Sequence, residues 1–461
     1  MEQKYEESNL DMNYNNHKKD SKKSKTGIFF YNTNIILIVI IIIITIILFK
    51  SYHNNEKEKW DWSPVGPRIK TKWGININPK KVWQEYPRPQ LERKDWLNLN
   101  GPWFYSIRKS NMRKPKRHDG QILVPFPIES SLSGIMTTFT ENQILWYEKI
   151  INIPTNWTNK NILLHFGAVD WKCELFLNDF KVGEHTGGYS SFYFDITKYL
   201  IKENNTIVLK VIDKTEKSYQ PVGKQNSNNQ GIWYTPISGI WQTVWLEPVD
   251  KYYIEKIILN NNFDNKEIKI NFNINSQIKL PINFILKYEN KTIGEYNGKS
   301  NEEISIKIEE KDFHPWSPSN PNLYVINAQL YDKNNNYIYD SIKSYITIRK
   351  IESKKDSKGY LRIFLNNKPL FNMGTLDQGY WPDGLYTPPS EEAMIYDIQK
   401  LKELGFNTIR KHVKVESYRY YYQCDKIGML VWQDMPSGDI DISGSNWDWT
   451  IINGGEDKNR T

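Results

Sequence analysis

The sequence predicts a multidomain, mostly β chain: an N-terminal membrane-spanning helix, two successive all-β domains, and a closing α/β unit on a parallel sheet. Three observations predict it. One apolar run near the start is long enough for a bilayer, strand-like alternation fills residues 82–349, and near residue 359 short strands begin to alternate with helical periodicity. A length of 461 residues leaves room for several domains of roughly 100–200 residues each. With 17 Trp and 29 Tyr, the composition is that of folded protein and excludes a disordered chain.

Residues 28–49 hold an unbroken apolar core from Ile35 to Phe49, relieved only by Thr45. About 20 residues of helix cross a bilayer core, so the segment suffices if Asn32 and Asn34 lie near the headgroups. The rival is a cleavable signal peptide with a secreted product, but KSYHNNEKEK, residues 50–59, offers no small-residue cleavage site. Lysines cluster before the segment in KKDSKKSK, residues 18–25, so residues 1–27 read as a cytoplasmic basic tail. The expected membrane partner is therefore a single-pass type II arrangement, with the C-terminal part lumenal or extracellular. The sequons at Asn156, Asn204, Asn290 and Asn459 all fall on that side as glycosylation candidates. Elsewhere Lys is interspersed with Asp and Glu, so the net charge of +8 does not indicate a nucleic-acid partner.

Residues 50–78 lack periodicity and read as a stem. Residues 79–248 form the first all-β domain: ILLHFGAVDWKCELFLNDFKVG contains apolar runs and a turn at Asn178 and Asp179, and NTIVLKVID repeats the theme. In residues 249–350 the alternation sharpens. In EIKINFNIN, Ile268, Ile270, Phe272 and Ile274 share one face while Lys269, Asn271 and Asn273 share the other. EISIKIEE and YVINAQLYD follow at short spacing, which suggests an immunoglobulin-like β-sandwich.

Residues 351–461 carry the α/β unit. PLFNMGTLDQ reads as a strand, and SEEAMIYDIQKLKELG as a helix with Ser390 as N-cap, an apolar stripe of Met394, Ile398 and Leu401, and Gly405 closing it. FNTIRKH is a second strand, ESYRYYYQCDKIG a second helix and MLVWQD a third strand. Alternation this tight indicates βαβ units. Cys173 and Cys424 fall in different domains with no CxxC or His/Cys cluster, so two buried thiols are expected, with no metal and no cofactor.

From about residue 83 to 439 the chain resembles glycoside hydrolase family 2, the β-galactosidase, β-glucuronidase and β-mannosidase group. YPRPQLERKDWLNLNG, ILVPFPIESSLSGI, GGYSSFYFDIT and GIWYTPISGIWQTVWLEP are similar to its sugar-binding domain, and LDQGYWPDGLYTPP, GFNTIRKH and LVWQDMP to the opening of its barrel. The resemblance implies a jelly-roll sandwich, an immunoglobulin-like sandwich and a (β/α)8 TIM barrel, in agreement with the periodicity. It also implies a carbohydrate substrate and a retaining mechanism, in which two carboxyl groups about 5–5.5 Å apart flank the scissile bond. In the family the acid/base is the Glu of an Asn-Glu pair after the fourth barrel strand, and the nucleophile a Glu after the seventh.

This sequence has no Asn-Glu pair after residue 405. A barrel takes about 250 residues, so residues 351–461 are expected to be an incomplete barrel of about three strands, with no catalytic Glu and no activity alone. The candidate substrate-binding residues are Asp377, Gln378 and Trp381 after the first strand, Arg410 and His412 at the end of the second, and Asp434 after the third. The alternatives are an Asp capping a backbone turn, a Trp packed under the sandwich and an Arg paired structurally with Asp434. Asp434 and Asp439 make a poor catalytic pair, because the MPSG linker fixes no separation. Two functions fit: a family 2 glycosidase represented by an incomplete chain, or a membrane-anchored carbohydrate-binding protein without catalysis. The Trp residues of GIWYTPISGIW suit either sugar stacking or internal packing.

Overall fold

Alternation of side chains along paired strands builds two sandwiches, and the computed structural model describes them within residues 39–46, 62–332, 334 and 336–438. In the first, a six-stranded antiparallel sheet runs in the order Gly120–Val124, Gly101–Lys109, Gln143–Ile151, Asn205–Ile212, Lys172–Leu177 and Phe180–Thr186. A four-stranded sheet of Leu97–Asn98, Val244–Val249, Asn161–Phe166 and Phe192–Asp195 faces it. Cys173, Leu175 and Leu177 alternate inward and meet Trp103, Tyr147, Phe166 and Leu246 in one core. Each such side chain contributes about 1.5–3 kcal/mol by leaving water. The turn after Leu177 places Asn178 and Asp179 at φ of 51° and 67°, the left-handed pair that a two-residue hairpin requires.

The second sandwich packs Ile254–Asn262, Glu267–Ile274 and Glu303–Lys307 against the sheet of Lys291–Lys299, Pro281–Tyr288, Tyr324–Asp332 and Tyr337–Ile346. Ile268, Ile270, Phe272 and Ile274 are all buried in its core, as the alternation requires. A buried ion cluster joins the two sandwiches. Arg93 donates to both carboxylate oxygens of Asp340 at 3.0 and 2.8 Å and to Glu247 at 2.9 Å, while Arg88 reaches Glu247 at 2.8 Å.

Residues 351–369 form a small antiparallel sheet of Ile351–Lys355, Leu361–Leu365 and Lys368–Pro369, outside the βαβ pattern expected for that stretch. Gly374–Asp377, Thr408–Lys411 and Leu430–Gln433 then pair in parallel, in chain order. PLFNMGTLDQ thus contributes only Gly374–Asp377 to the parallel sheet. The helices Glu391–Glu403 and Tyr418–Ile427 connect these strands. Ser390 Oγ caps the first by accepting from the Ala393 amide at 3.2 Å, and Gly428 at φ 87° closes the second. Trp316 of the second sandwich is fully buried and donates from Nε1 to the Asp425 carbonyl at 2.7 Å, which locks the helix to that sandwich.

Two expectations for the N-terminal region need adjustment. Residues 62–78, read as stem, pack onto the fold: Trp62 Nε1 donates to the Leu132 carbonyl, and the amide and hydroxyl of Thr71 both donate to Asp383 at 2.8 Å. Of the expected membrane segment 28–49, only residues 39–46 are described, as a helix with exposed side chains. Among the described residues no helix is long and apolar enough to cross a membrane. Residues 1–27, the rest of the expected anchor, Asp439 and Asn459 lie outside the described residues. Cys173 and Cys424 are free and buried.

Candidate functional site

The register of the parallel sheet decides which side chains can meet a ligand. Thr375, Ile409 and Val431 align across the three strands, as do Asp377, Lys411 and Gln433 two residues on. Side chains two apart share a face, and Ile409 and Val431 pack with Met394, Ile398, Tyr420 and Cys424 of the helices. Asp377 and Lys411 therefore lie on the helix side. Leu376, Arg410 and Trp432 form the intervening row on the opposite face, and all three are about half exposed.

On the helix side a charged network crosses the carboxyl ends of the strands. Lys411 Nζ bonds Asp377 Oδ2 at 2.6 Å and Glu416 Oε1 at 2.9 Å, and its side chain is 2% exposed. Asp377 Oδ2 also accepts from Tyr420, at 3.3 Å, and Oδ1 accepts from the Gly379 amide at 2.7 Å. Lys414, fully buried, donates to the carbonyls of Gly379 and Tyr386 and pairs with Glu416 at 2.8 Å. Burial would depress the Lys411 pKa, but the Glu416 and Asp377 carboxylates outweigh it and raise it. For Lys414 burial dominates and brings the value down to about 8. Burial also pushes Asp397, beside Asp377, up to about 6.

Asp377 was expected to face a sugar. Both of its oxygens are instead occupied within the protein, and it fixes the loop after the first strand. Arg410 takes the structural alternative in part: Nε and Nη2 grip Asp434 Oδ2 at 2.9 and 2.8 Å, on the face away from the helices. That pair remains open to solvent, with the Arg410 side chain 54% exposed. Gln378 and His412 are half-buried, and Gln378 Oε1 and His412 Nδ1 have no hydrogen-bond partner among the described residues. Burial, partly opposed by Asp434, lowers the His412 pKa. Trp381 packs edge-on to Trp73 at 6.5 Å, and its backbone pairs with Leu385. Trp241 of GIWYTPISGIW is buried against Tyr386 and Tyr189, so it serves internal packing. Asn156, Asn204 and Asn290 are exposed.

A loop of the first sandwich closes one side of this region. The amides of Val222 and Gly223 donate to the Ser437 carbonyl at 2.9 and 3.0 Å, and Pro221 bridges to Gly438. Gly223 sits at φ 60°, where a Cβ would meet the Val413 carbonyl at 2.4 Å, so only glycine fits. Sequence reasoning missed Lys411, Lys414, Glu416 and Gln433. For the first three the signal available was KHVKVE, which starts on the last residue of a strand and whose charges look like those of any solvated loop. Arg410, Asp434, Gln378 and His412 together offer hydrogen-bond donors and acceptors at one end of the sheet, a combination suited to hydroxyl groups.

Residues 120–249 match the family model described as glycosyl hydrolases family 2, sugar binding domain, and residues 252–349 match that described as glycosyl hydrolases family 2. A putative β-glucuronidase of Formosa agariphila is 24% identical over 378 residues, covering 77% of this chain and 43% of that protein. A β-galactosidase of Thermoanaerobacter pseudethanolicus is 27% identical over 316 residues, covering 66% of this chain and 41% of its own. The chain thus spans less than half the length of these curated relatives. Among solved structures, the β-D-glucuronidase of Dictyoglomus thermophilum shares the fold, with a TM-score of 0.61 at 21% identity over 76% of this chain and 59% of that one. Through its jelly-roll and immunoglobulin-like domains, the chain belongs to glycosyl hydrolase family 2.

Proposed function

We propose that this chain recognises β-glycosides at the carboxyl ends of its three parallel strands, which are the opening of a (β/α)8 barrel, and that it does not hydrolyse them by itself. The observation that carries this is the solvent-open pair of Arg410 and Asp434, together with the unpartnered Gln378 Oε1 and His412 Nδ1, at a sheet end held beside a loop of the sugar-binding domain. Arg410 and Asp434 would take ring hydroxyls as donor and acceptor, and Gln378 and His412 would complete the set. The β-glucuronidase and β-galactosidase names of the relatives support a β-glycoside as ligand.

Hydrolysis with retention needs one carboxyl group as acid/base and a second as nucleophile. Of Asp377 and Asp434, the acids that the sequence assigns to this sheet, Asp377 is bonded at both oxygens on the helix side, which leaves Asp434, held by Arg410 at Oδ2, as one carboxylate where the reaction needs two. In the β-glycosidase reading, these strand ends contribute sugar positioning, and the described residues around them do not bring together the two carboxylates of the reaction. Purified chain incubated with nitrophenyl β-galactoside and β-glucuronide tests it. No release of nitrophenol above buffer is expected, and release that disappears in Asp434→Asn contradicts the reading.

A further inference from the structure

A cavity of about 230 Å³ opens on the first sandwich, and none of its walls comes from the parallel sheet. Arg68, Glu129 and Glu216 line it, with hydroxyls from Thr137 and Thr235. Three buried atoms of these residues have no hydrogen-bond partner among the described residues: Arg68 Nε, Glu129 Oε1 and Glu216 Oε2. Leaving a buried donor or acceptor unpaired is costly, and three in the walls of one cavity mark a place suited to a polar ligand.

The remaining atoms of the same groups are already anchored. Glu129 Oε2 accepts from the Ser238 amide at 2.9 Å, Glu216 Oε1 accepts from the hydroxyl and amide of Ser227, and Arg68 Nη2 donates to Thr235 Oγ1 at 3.0 Å. Each charged group is thus held by one end with the other unpaired, as a preorganised site requires. Donors and acceptors are mixed along the walls, from Arg68, Lys214 and Lys217 on one hand and Glu129, Glu141 and Glu216 on the other. That mixture suits a ligand carrying both acceptors and donors, such as a set of hydroxyls. At ~30 Å³ per water the volume equals that of roughly eight waters, which suits one sugar ring.

We propose that this cavity is a second carbohydrate site, separate from the ends of the parallel strands, that binds a single neutral pyranose through its hydroxyls. Burial supports the pairing, because it pushes the Glu129 carboxyl up to about 8 and leaves it a donor at neutral pH, complementary to the acceptor Glu216. The proposal does not depend on the β-glycoside reading of the parallel sheet.

Saturation-transfer NMR of the full chain with galactose, glucose and mannose, and with glucuronate as the charged comparison, tests it. At least one neutral hexose is expected to bind in the millimolar range and more tightly than glucuronate. In an Arg410→Ala background, which removes the sugar contacts proposed at the parallel strands, Arg68→Met and Glu216→Gln should each weaken it by ~10-fold or more. Thr137→Val provides a milder variant should either of the first two unfold, and it too should reduce the signal. A water-filled cavity only, seen as no transfer to any neutral hexose, overturns the proposal. Glucuronate binding as tightly as the hexoses does so too, as does binding that Arg410→Ala abolishes and the cavity variants spare.

Discussion

Lys411 and Asp377, the last residues of neighbouring parallel strands, are joined at 2.6 Å on the helix side of the sheet, where Lys411 also carries Glu416. The ammonium therefore compensates two acids at once. Lys411→Met leaves Glu416 buried and Asp377 without its cation. Breaking a buried pair by removing one partner costs about 3–5 kcal/mol. A urea midpoint lowered accordingly, with an unchanged slope, is expected for this variant. Arg410→Met, at a pair half open to water, should cost about 1 kcal/mol or less.

Glu129 sets a pH dependence of known sign. Burial raises its carboxyl from 4.5 to about 8 in the fold. Between those values the folded chain holds a proton that the unfolded chain has released, so stability falls as pH rises through this window. Buried Asp213, also raised by burial, adds in the same direction. Glu129→Gln removes the Glu129 contribution. Thermal midpoints from pH 5 to 8 should decline more steeply for the wild-type chain than for the variant. His165, lowered by burial to about 4, acts oppositely, and its contribution grows as pH rises from about 4 to 6.5.

Gly223→Ala tests the contact between the first sandwich and the segment after the third parallel strand. Its φ of 60° and the 2.4 Å approach to the Val413 carbonyl both oppose a methyl group. Strain of this kind costs about 1–3 kcal/mol. Faster amide exchange at Val222, which donates to Ser437, is the expected signature.

The face of the parallel sheet opposite its helices leaves Leu376 and Trp432 49% and 48% exposed. An apolar patch of this kind attracts hydrophobic dyes and other copies of the chain. Leu376→Gln with Trp432→Gln should lower dye binding and concentration-dependent light scattering, with little change in the urea midpoint.

What could be read from the sequence followed from local periodicity. Ile268, Ile270, Phe272 and Ile274 announce a half-buried strand, Asn178-Asp179 a hairpin turn, and Ser390 a helix start, and each forms as read. The site was less legible, because it depends on which face of a short strand a residue occupies. Asp377 and Asp434 look alike as acids ending strands. Register alone sends Asp377 toward Lys411 and the helices, and leaves Asp434 with Arg410 beside solvent. Lys411, Lys414 and Glu416 were hidden for another reason. In a chain with 61 Lys and Arg and 53 Asp and Glu, buried charges cannot be told from solvated ones until their partners are known.

The central claim is that the ends of the parallel strands bind a β-glycoside. Titration of the full chain with methyl β-galactoside and methyl β-glucuronide, followed by calorimetry, tests it most directly. Saturable binding of at least one glycoside is predicted, weakened ~10-fold or more by Arg410→Ala and by Asp434→Asn, with the cavity variants Arg68→Met and Glu216→Gln leaving it intact. Absence of binding to either glycoside, or binding that the Arg410 and Asp434 substitutions leave unchanged, contradicts the account.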